Sequence, residues 1–272
     1  MIIICVLLII LYIIYKFYTR KTSQYKYTAI IVEPRKHKAL DYVLTNFYNN
    51  LSDDWQIIIF HGKNNIKFIQ NIITKFDKSR IKLINLNVNN LSLNEYCHLF
   101  YNKWLYDNIQ TETFLVFQTD TLICPRYKHL INDFLKYDYV GAPWDEKIIH
   151  DIKTLYGGKD LIGNGGLSIR KKSKMLDILN KHSFYHKQGW LINEDIYFSI
   201  HTTNKPSLEE AKNFSIEMLY NDKAFGIHKA YNYVKLDWFP EMKILEELNE
   251  VNPSTRSVFF NGYNTASQLL SK

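Results

Sequence analysis

The sequence contains few cysteines, and their arrangement does not suggest a structural framework. The three cysteines are Cys5, Cys97 and Cys124. They form no CxxC pair and no even-numbered set, so neither a disulfide scaffold nor a cysteine-ligated zinc site is indicated. The chemistry of this chain must therefore come from other side chains.

Long basic runs are also missing. The net charge is +7 and the isoelectric point about 9.0, which favours anionic partners such as phosphates, nucleotides or anionic lipid. The lysines are scattered, however, and no basic run is longer than the three residues 170–172. We therefore expect no nucleic-acid binding.

The usual glycine-rich phosphate-binding motifs are absent. The segment GNGGLS, residues 163–168, is not followed by the GKS or GKT of a P-loop, and its glycines do not fit GxGxxG. No glycine-rich basic loop follows the first predicted strand either, which disfavours a nucleotidyltransferase. A kinase-like or dinucleotide-binding site is therefore not indicated.

The amino terminus is rich in apolar residues. Fifteen residues precede the first charge, Lys16, which can snorkel and extend the span to about 18 residues, near the lower limit for a bilayer helix. No basic n-region or small-residue cleavage site is present, so an uncleaved anchor over residues 1–20 is favoured over a signal peptide. Positive charge lies only on the carboxyl side of this segment, which places the body in the cytosol, with a lumenal body left open.

From Tyr27 onward, apolar runs alternate with amphipathic segments. Strands are predicted in YTAIIVE, WQIIIFHG, RIKLINL and TFLVFQTD, with helices between them. Residues 145–165 are predicted as a loop, and helices are predicted over SLNEYCHLFYNKWLYDNI and in SLEEAKNFSIEMLY. Ser92 followed by Glu95 is a capping-box signature for the helix that begins SLNEYCHLF. This pattern predicts an α/β fold with a mostly parallel central sheet and helices on both faces.

A carboxylate, Asp120, follows the fourth predicted strand. Ligands of such sheets bind beyond the carboxyl ends of the strands, where a carboxylate can chelate a hard divalent ion that bridges to a diphosphate. Gln118 and Thr119 beside it can hydrogen-bond a ribose or a phosphate. A capping or loop-bracing role for Asp120 is the alternative.

Four further segments carry candidate site residues. In the predicted loop GNGGLS, Gly165 and Gly166 allow positive φ or close backbone approach, and Asn164 can bind hydroxyl groups. Glu194 or Asp195 in NED can act as a general base, with Asp195 favoured, although acids at a helix start are also favoured by the helix dipole.

In FGIHK, His228 can ligate a metal and Lys229 can neutralise phosphate, while a solvated loop histidine is the alternative. Trp144 and Trp190 are candidates for stacking on a sugar ring.

Six of these motifs occur in order and together resemble a known family. FQTDT, YDYVGAPW, GNGGLSIR, NEDIYFS, EEAKNFSIE and FGIHK are similar to an uncharacterised family of glycosyltransferase domains found in giant viruses, fungi and bacteria. The resemblance covers roughly residues 50–235. It implies a GT-A nucleotide-sugar transferase fold, in which a D-x-D-type motif and a late histidine bind Mn²⁺ or Mg²⁺.

Carried over by position, the resemblance implies a role for each motif. Asp120 is the metal and nucleotide acid and His228 a candidate metal ligand. Asn164, Gly165 and Gly166 line the sugar or acceptor pocket. This chain departs from D-x-D, because Gln118 stands where the first acid is expected.

We therefore expect a membrane-anchored, metal-dependent glycosyltransferase that moves a sugar from a nucleotide-sugar donor to a hydroxyl of a glycan, protein or lipid, with inversion weakly favoured. The expected organisation is an anchor over residues 1–20, a linker over 21–26, a GT-A-like domain over 27–240 and a tail or lid over 241–272. The single acid of the metal motif favours the alternative, a catalytically inactive scaffold that binds a glycan or nucleotide.

Overall fold

The computed structural model describes residues 24–157 and 161–250. The nine strands of this described part are β1 (Tyr27–Glu33), β2 (Trp55–His61), β3 (Ile81–Asn85), β4 (Thr113–Val116), β5 (Thr121–Ile123), β6 (Tyr139–Ala142), β7 (Asn164–Lys171), β8 (Ser215–Ile216) and β9 (Gly226–His228). Its α-helices are α1 (Leu40–Asn50), α2 (Ile66–Ile72), α3 (Leu93–Tyr101), α4 (Lys103–Asp107), α5 (Ile131–Phe134), α6 (Glu146–Tyr156), α7 (Lys172–Lys181), α8 (Glu194–His201), α9 (Leu208–Ala211) and α10 (Glu241–Leu248). Short 3₁₀ helices occupy Ile73–Lys75, Lys78–Arg80, Pro125–Leu130 and Ala230–Asn232.

A six-stranded sheet in the order β3-β2-β1-β4-β7-β6 forms the centre of the fold. Strands β3, β2, β1 and β4 are parallel, and β7 runs antiparallel to both β4 and β6. The prediction of a mixed α/β fold with a mostly parallel sheet is therefore confirmed. The strand order reverses its direction of growth between β1 and β4, which is the point where open α/β sheets bind ligands.

Both faces of the sheet are covered, because alternate residues of the apolar strands enter two cores. Ala29 and Ile31 of β1 lie in the core that contains α1, whereas Ile30 and Val32 lie in the core that contains α3. Continuous apolar runs were therefore a correct indication of strands buried on both faces.

The antiparallel strand β7 brings its amino end to the carboxyl edge of the parallel strands. Val116, the last residue of β4, pairs with Ser168, so residues 164–167 extend past the end of β4. A second sheet, in the order β5-β9-β8, lies at the same edge, where Thr121 pairs with His228. These two pairings bring chain segments 118–121, 164–167 and 226–229 together.

Several local predictions were wrong. Residues 145–165, predicted as a loop, contain helix α6, whose Asp145 side chain caps Ile148 N at 2.8 Å. The glycine-rich segment GNGGLS, residues 163–168, was also predicted as a loop, yet residues 164–168 form the start of β7.

Two predicted helices are interrupted. The helix predicted in SLEEAKNFSIEMLY ends at Ala211 and is followed by strand β8. The helix predicted over SLNEYCHLFYNKWLYDNI breaks at Asn102, whose side chain caps the second piece. The capping box of Ser92 and Glu95 is present as predicted.

The predicted anchor, residues 1–20, lies outside the described residues, as does most of the predicted tail. Within the two described ranges, none of the helices combines the length and apolar character that crossing a membrane requires. The first part of the predicted tail packs on the domain. Leu245 of α10 is fully buried, and Asn249 Nδ2 donates to the backbone oxygen of Thr119 at 3.1 Å.

Candidate active site

Two adjoining cavities follow the carboxyl edge of the central sheet. The first, here called the β1 cavity, has a volume of about 230 Å³ and lies between the end of β1 and residues 118–120. The second, here called the β7 cavity, has a volume of about 400 Å³ and lies between the starts of β7, α3 and α8. Leu91, Tyr96 and Gln118 line both cavities, so the two form one cleft.

Asp120 lies in this cleft beside His228 and Lys229. Its Oδ1 is 3.5 Å from His228 Nε2, and its Oδ2 is 3.8 Å from Lys229 Nζ. The backbone holds the two segments in register, because Lys229 N donates to the oxygen of Asp120 at 2.9 Å. Among the described residues, Asp120 Oδ1 and His228 Nε2 are buried and have no hydrogen-bond partner. A carboxylate oxygen and an imidazole nitrogen that face each other unpaired can share a proton or a cation.

His228 is fully buried, not solvated, and is flanked by a second carboxylate. Its Nδ1 lies 3.5 Å from Oε1 of Glu217, a residue that is itself 3% exposed. Sequence reasoning missed Glu217, because its segment was interpreted as a helix. The signal in the sequence was the motif EEAKNFSIE, which ends in Glu217. In the structure this residue directly follows β8, the strand that pairs with β9.

Gly166 allows the strand β7 to pack directly against the imidazole of His228. A Cβ at Gly166 would lie 2.2 Å from His228 Nε2, closer than any real contact permits. The predicted need for close backbone approach therefore applies at this position, whereas positive φ occurs only at Gly163 within this motif. Asn164 Oδ1 accepts from Gly166 N at 2.9 Å, and its Nδ2 donates to Glu217 Oε1 at 3.3 Å.

A buried ion pair lies beside the β7 cavity, which Glu194 lines. Arg170 is fully buried and donates to both carboxylate oxygens of Glu194, at 2.6 and 3.2 Å. Its guanidinium also lies over the ring of Phe100 at 4.8 Å. Gly165 makes room for this pair, since a Cβ there would lie 2.5 Å from Glu194 Oε1. The sequence suggested only a short basic run at Arg170, so this role was missed.

Asp195 lines the β7 cavity next to the ion pair. Burial, and then the charge of Glu194, raise the pKa of Asp195 to about 6, whereas hydrogen bonds from the backbone N–H groups of Ile196 and Gly165 act in the opposite direction. A carboxylate with a pKa near neutrality can accept a proton from a hydroxyl group more readily than an ordinary aspartate.

Gln118 and Thr119 line the β1 cavity as neighbours of Asp120. The amide of Gln118 is engaged, because its Nε2 donates to Tyr96 Oη at 2.9 Å. Burial raises the pKa of Tyr96 well above its ordinary value, so the phenol keeps its proton as a donor toward the cleft. Sequence reasoning did not single out Tyr96.

The end of β1 supplies the opposite wall of the β1 cavity. Glu33 there accepts from Arg35 through the backbone N–H, Nε and Nη2, at 2.8, 2.9 and 2.8 Å. The charged segment that begins at Glu33 therefore belongs to the cleft.

The two tryptophans are placed away from these cavities. Trp144 is 5% exposed and packs with Ile152 and Leu161 in a small apolar cluster. Trp190 is 39% exposed and stacks on His186 at 4.2 Å between ring centroids. Neither lines the β1 or the β7 cavity.

The donors in the cleft fit a divalent cation only in part. Two cis ligands of an octahedral cation with bonds near 2.1 Å lie about 3 Å apart, comparable to the 3.5 Å between Asp120 Oδ1 and His228 Nε2. Across residues 24–157 and 161–250, no group of three or more acids, histidines or cysteines is arranged to hold a metal. A cation here would need further oxygen ligands from a bound diphosphate and water.

Comparison with known proteins places the chain in a family. Residues 80–228 match the model of the family described as Protein of unknown function (DUF5672), and this match covers more than half of the sequence. The chain therefore belongs to that family. No curated protein matches the sequence.

Solved structures of glycosyltransferases share the fold at low sequence identity. The galactosyltransferase LgtC, in complex with donor and acceptor sugar analogs, matches with 12% identity and a TM-score of 0.53, over 84% of this chain and 99% of its own. The bifunctional glycosyltransferase WbbM matches with 10% identity and a TM-score of 0.52, over 86% of this chain and 51% of its own. The apo form of GlyE from Streptococcus pneumoniae TIGR4 matches with 10% identity and a TM-score of 0.50, over 88% and 64%. The predicted GT-A-like glycosyltransferase fold is therefore confirmed.

Proposed function

We propose that this protein is a glycosyltransferase that moves a sugar from a nucleotide-sugar donor to a hydroxyl acceptor. One observation carries the proposal: Asp120 Oδ1 and His228 Nε2 face each other at 3.5 Å, buried and without hydrogen-bond partners, at the ligand-binding edge of the sheet. The glycosyltransferase-like fold supports the same proposal, although fold alone does not define activity.

Asp120 and His228 are the side chains that would hold a divalent cation. An imidazole ligand suits Mn²⁺ better than Mg²⁺, so we propose Mn²⁺. When bound, this ion would offset the negative charge that develops on the departing nucleoside diphosphate. Lys229, whose Nζ is 3.8 Å from Asp120 Oδ2, would add positive charge on the same side.

The donor would occupy the β1 cavity and reach into the β7 cavity. Gln118 and Thr119 line the β1 cavity beside Asp120, and the phenol of Tyr96 faces both cavities. Asn164 and Gly166 then line the space for the transferred sugar or the acceptor. Trp190 is exposed enough to contact a larger acceptor, whereas the burial of Trp144 disfavours a stacking role.

We propose Asp195 as the general base, in preference to Glu194. Glu194 is held by Arg170 through two hydrogen bonds, so its carboxylate already has a buried partner. Asp195 lines the same cavity and has a pKa raised to about 6. A base at this position would take the proton of the acceptor hydroxyl in a single displacement with inversion.

We also propose that residues 1–20 anchor the protein in a membrane and that residues 21–26 link the anchor to a domain over residues 27–240. The apolar amino terminus and the positive charges that follow it support a cytosolic domain. Residues 241–272 would form the tail, whose first part packs on the domain through α10. A protease-protection assay on sealed membranes would contradict this orientation if the domain resisted digestion.

The test is donor turnover by the full-length protein in detergent. Release of nucleoside diphosphate would be followed over a panel of nucleotide sugars with Mn²⁺, with Mg²⁺ and with EDTA. Metal-dependent release from one donor would support the proposal and identify the donor. Failure of every donor to bind would contradict it.

A non-catalytic binding domain is the second candidate. It is favoured by the single acid of the metal motif, since Gln118 is engaged with Tyr96 and offers no charge to a cation. Binding of a nucleotide sugar without release, across a broad acceptor panel, would support this alternative.

A further inference from the structure

The imidazole of His228 lies between two carboxylates, Asp120 just before β5 and Glu217 just after β8. Thr121 in β5 pairs with His228 and brings Asp120 to Nε2, while β8 pairs with β9 on the other side and brings Glu217 to Nδ1. Both separations are 3.5 Å. Both ring nitrogens are buried, and neither has a hydrogen-bond partner.

Of the two carboxylates beside His228, Glu217 is more buried and has fewer donors near it. Its side chain is 3% exposed. Among residues 24–157 and 161–250, its Oε1 accepts only from Asn164 Nδ2 at 3.3 Å, and its Oε2 has no partner. Within the described ranges, His228 is the single basic side chain at salt-bridge distance from Glu217. Asp120, by contrast, is 15% exposed and lies near Lys229. A buried carboxylate with one amide donor requires a further donor, and the ring nitrogen that faces it is Nδ1 of His228 at 3.5 Å.

Packing holds the ring in this orientation. Gly166 lies so close to Nε2 that the imidazole cannot move toward β7. In a neutral His228 the proton can still lie on either Nδ1 or Nε2. A carboxylate beside one nitrogen of a metal-ligating histidine commonly makes this choice.

We infer that Glu217 is a positioning residue that keeps the proton of His228 on Nδ1 and leaves the lone pair of Nε2 directed at Asp120. In this arrangement Nε2 and Asp120 Oδ1 are two bare acceptors with a common direction. That arrangement suits a cation and disfavours an internal hydrogen bond. The part of this inference that concerns metal affinity rests on the proposed function.

The test compares Glu217→Gln with Asp222→Asn in the full-length protein. Asp222 lies in the same β8–β9 connection but is exposed, so its variant controls for loss of one negative charge. The first readout is the ¹⁵N spectrum of the histidine side chains in metal-free protein. Because the chain has nine histidines, a His228→Gln sample identifies the signal. We expect Nδ1–H and a bare Nε2 in wild type and in Asp222→Asn, and a shift toward Nε2–H in Glu217→Gln.

The second readout is the affinity for Mn²⁺, measured by titration without any donor sugar. Loss of such a carboxylate typically weakens metal binding by about 10- to 100-fold, so we expect that change in Glu217→Gln and none in Asp222→Asn. Thermal unfolding, followed in parallel, should show that Glu217→Gln remains folded.

Two outcomes would overturn the inference. One is a His228 that carries its proton on Nε2, or on both nitrogens, in the wild-type protein. The other is a Glu217→Gln protein with the wild-type tautomer and the wild-type Mn²⁺ affinity. If the wild-type protein binds no Mn²⁺, the metal part of the proposed function fails, while the tautomer still decides the role of Glu217.

Discussion

Two buried charged clusters lie against neighbouring glycines of β7, and they differ in how well their polar atoms are satisfied. Arg170 and Glu194 meet through two hydrogen bonds and are covered by aromatic rings. Asp120, Glu217 and His228 lie close together, yet four of their polar atoms have no partner. A satisfied pair needs no ligand to explain it, whereas a cluster of unpaired polar atoms in a cleft indicates a site for a cation or proton.

The largest expected effect is a loss of stability when the buried pair of Arg170 and Glu194 is broken. Glu194→Gln should lower the free energy of unfolding by about 3–5 kcal/mol, because it leaves the charge of Arg170 buried without compensation. Urea denaturation measures this change. The control is Asp107→Asn, which removes the exposed pair between Lys103 and Asp107 and should change stability little. A Glu194→Gln protein as stable as wild type would show that the two clusters do not differ in this way.

The next largest effect is on the unsatisfied cluster. Asp120→Asn should reduce release of nucleoside diphosphate by about 10²- to 10³-fold, because one of the two proposed cation ligands is lost. Its unfolding free energy should not fall, since the carboxylate Oδ1 makes no hydrogen bond. Asp222→Asn is the exposed control. Wild-type turnover in Asp120→Asn would contradict the roles proposed here.

Two neighbouring glycines separate the clusters within one strand. A Cβ at Gly165 would clash with Glu194 and Arg170, whereas a Cβ at Gly166 would clash with the ring of His228. Gly165→Ala should therefore lower stability by about 1–3 kcal/mol through overpacking. Gly166→Ala should weaken Mn²⁺ binding by about 10- to 100-fold through displacement of His228.

Each glycine variant is the control for the other. Urea denaturation and Mn²⁺ titration are carried out on both variants. We expect the main loss to be in unfolding free energy for Gly165→Ala and in Mn²⁺ affinity for Gly166→Ala. If both variants lost stability and Mn²⁺ affinity equally, the two glycines would not act separately on the two clusters.

The smallest effect is a pH dependence from Asp195. As a base it must be ionised, so kcat/KM should rise tenfold per pH unit up to about pH 6 and then level off. Stability should change in the opposite direction. The folded pKa lies above the unfolded value of about 3.9, so the folded protein binds the extra proton and loses stability as pH rises from about 4 to 6.

Asp195→Asn supplies the reference for this last measurement. The difference in unfolding free energy between wild type and Asp195→Asn should change over that pH window and stay constant above it. A flat difference from pH 4 to 7 would contradict the raised pKa. An activity profile without a limb near pH 6 would argue against Asp195 as the base.

Much of the local structure could be predicted from the sequence. The runs YTAIIVE and WQIIIFHG are strands because their residues are apolar on both faces, and Ser92 with Glu95 caps a helix through contacts three residues apart. Helix α6 was missed although its cap, Asp145, is equally local. Strand β8 could not be predicted, because two residues become a strand only by pairing with β9.

The residues of the candidate site also divide into those that the sequence predicted and those that it missed. Asp120, Asp195 and His228 were candidates because their residue types and positions after predicted elements suit chemistry. Glu217 and Arg170 were missed, because what makes them notable is a partner in another segment: Arg170 meets Glu194 from β7, and Glu217 meets His228 from β8.

The sequence by itself determined the central strands, most of the helices and the residue types available at the carboxyl edge of the sheet, since apolar periodicity and capping act over a few residues. Tertiary structure decided which of these residues are partners. The antiparallel course of β7 and the pairing of β5, β9 and β8 bring distant segments together. In that arrangement Arg170 and Glu194 satisfy each other, whereas Asp120 Oδ1 and the ring nitrogens of His228 have no hydrogen-bond partner among the described residues. A buried polar atom depends on whichever neighbour the fold supplies.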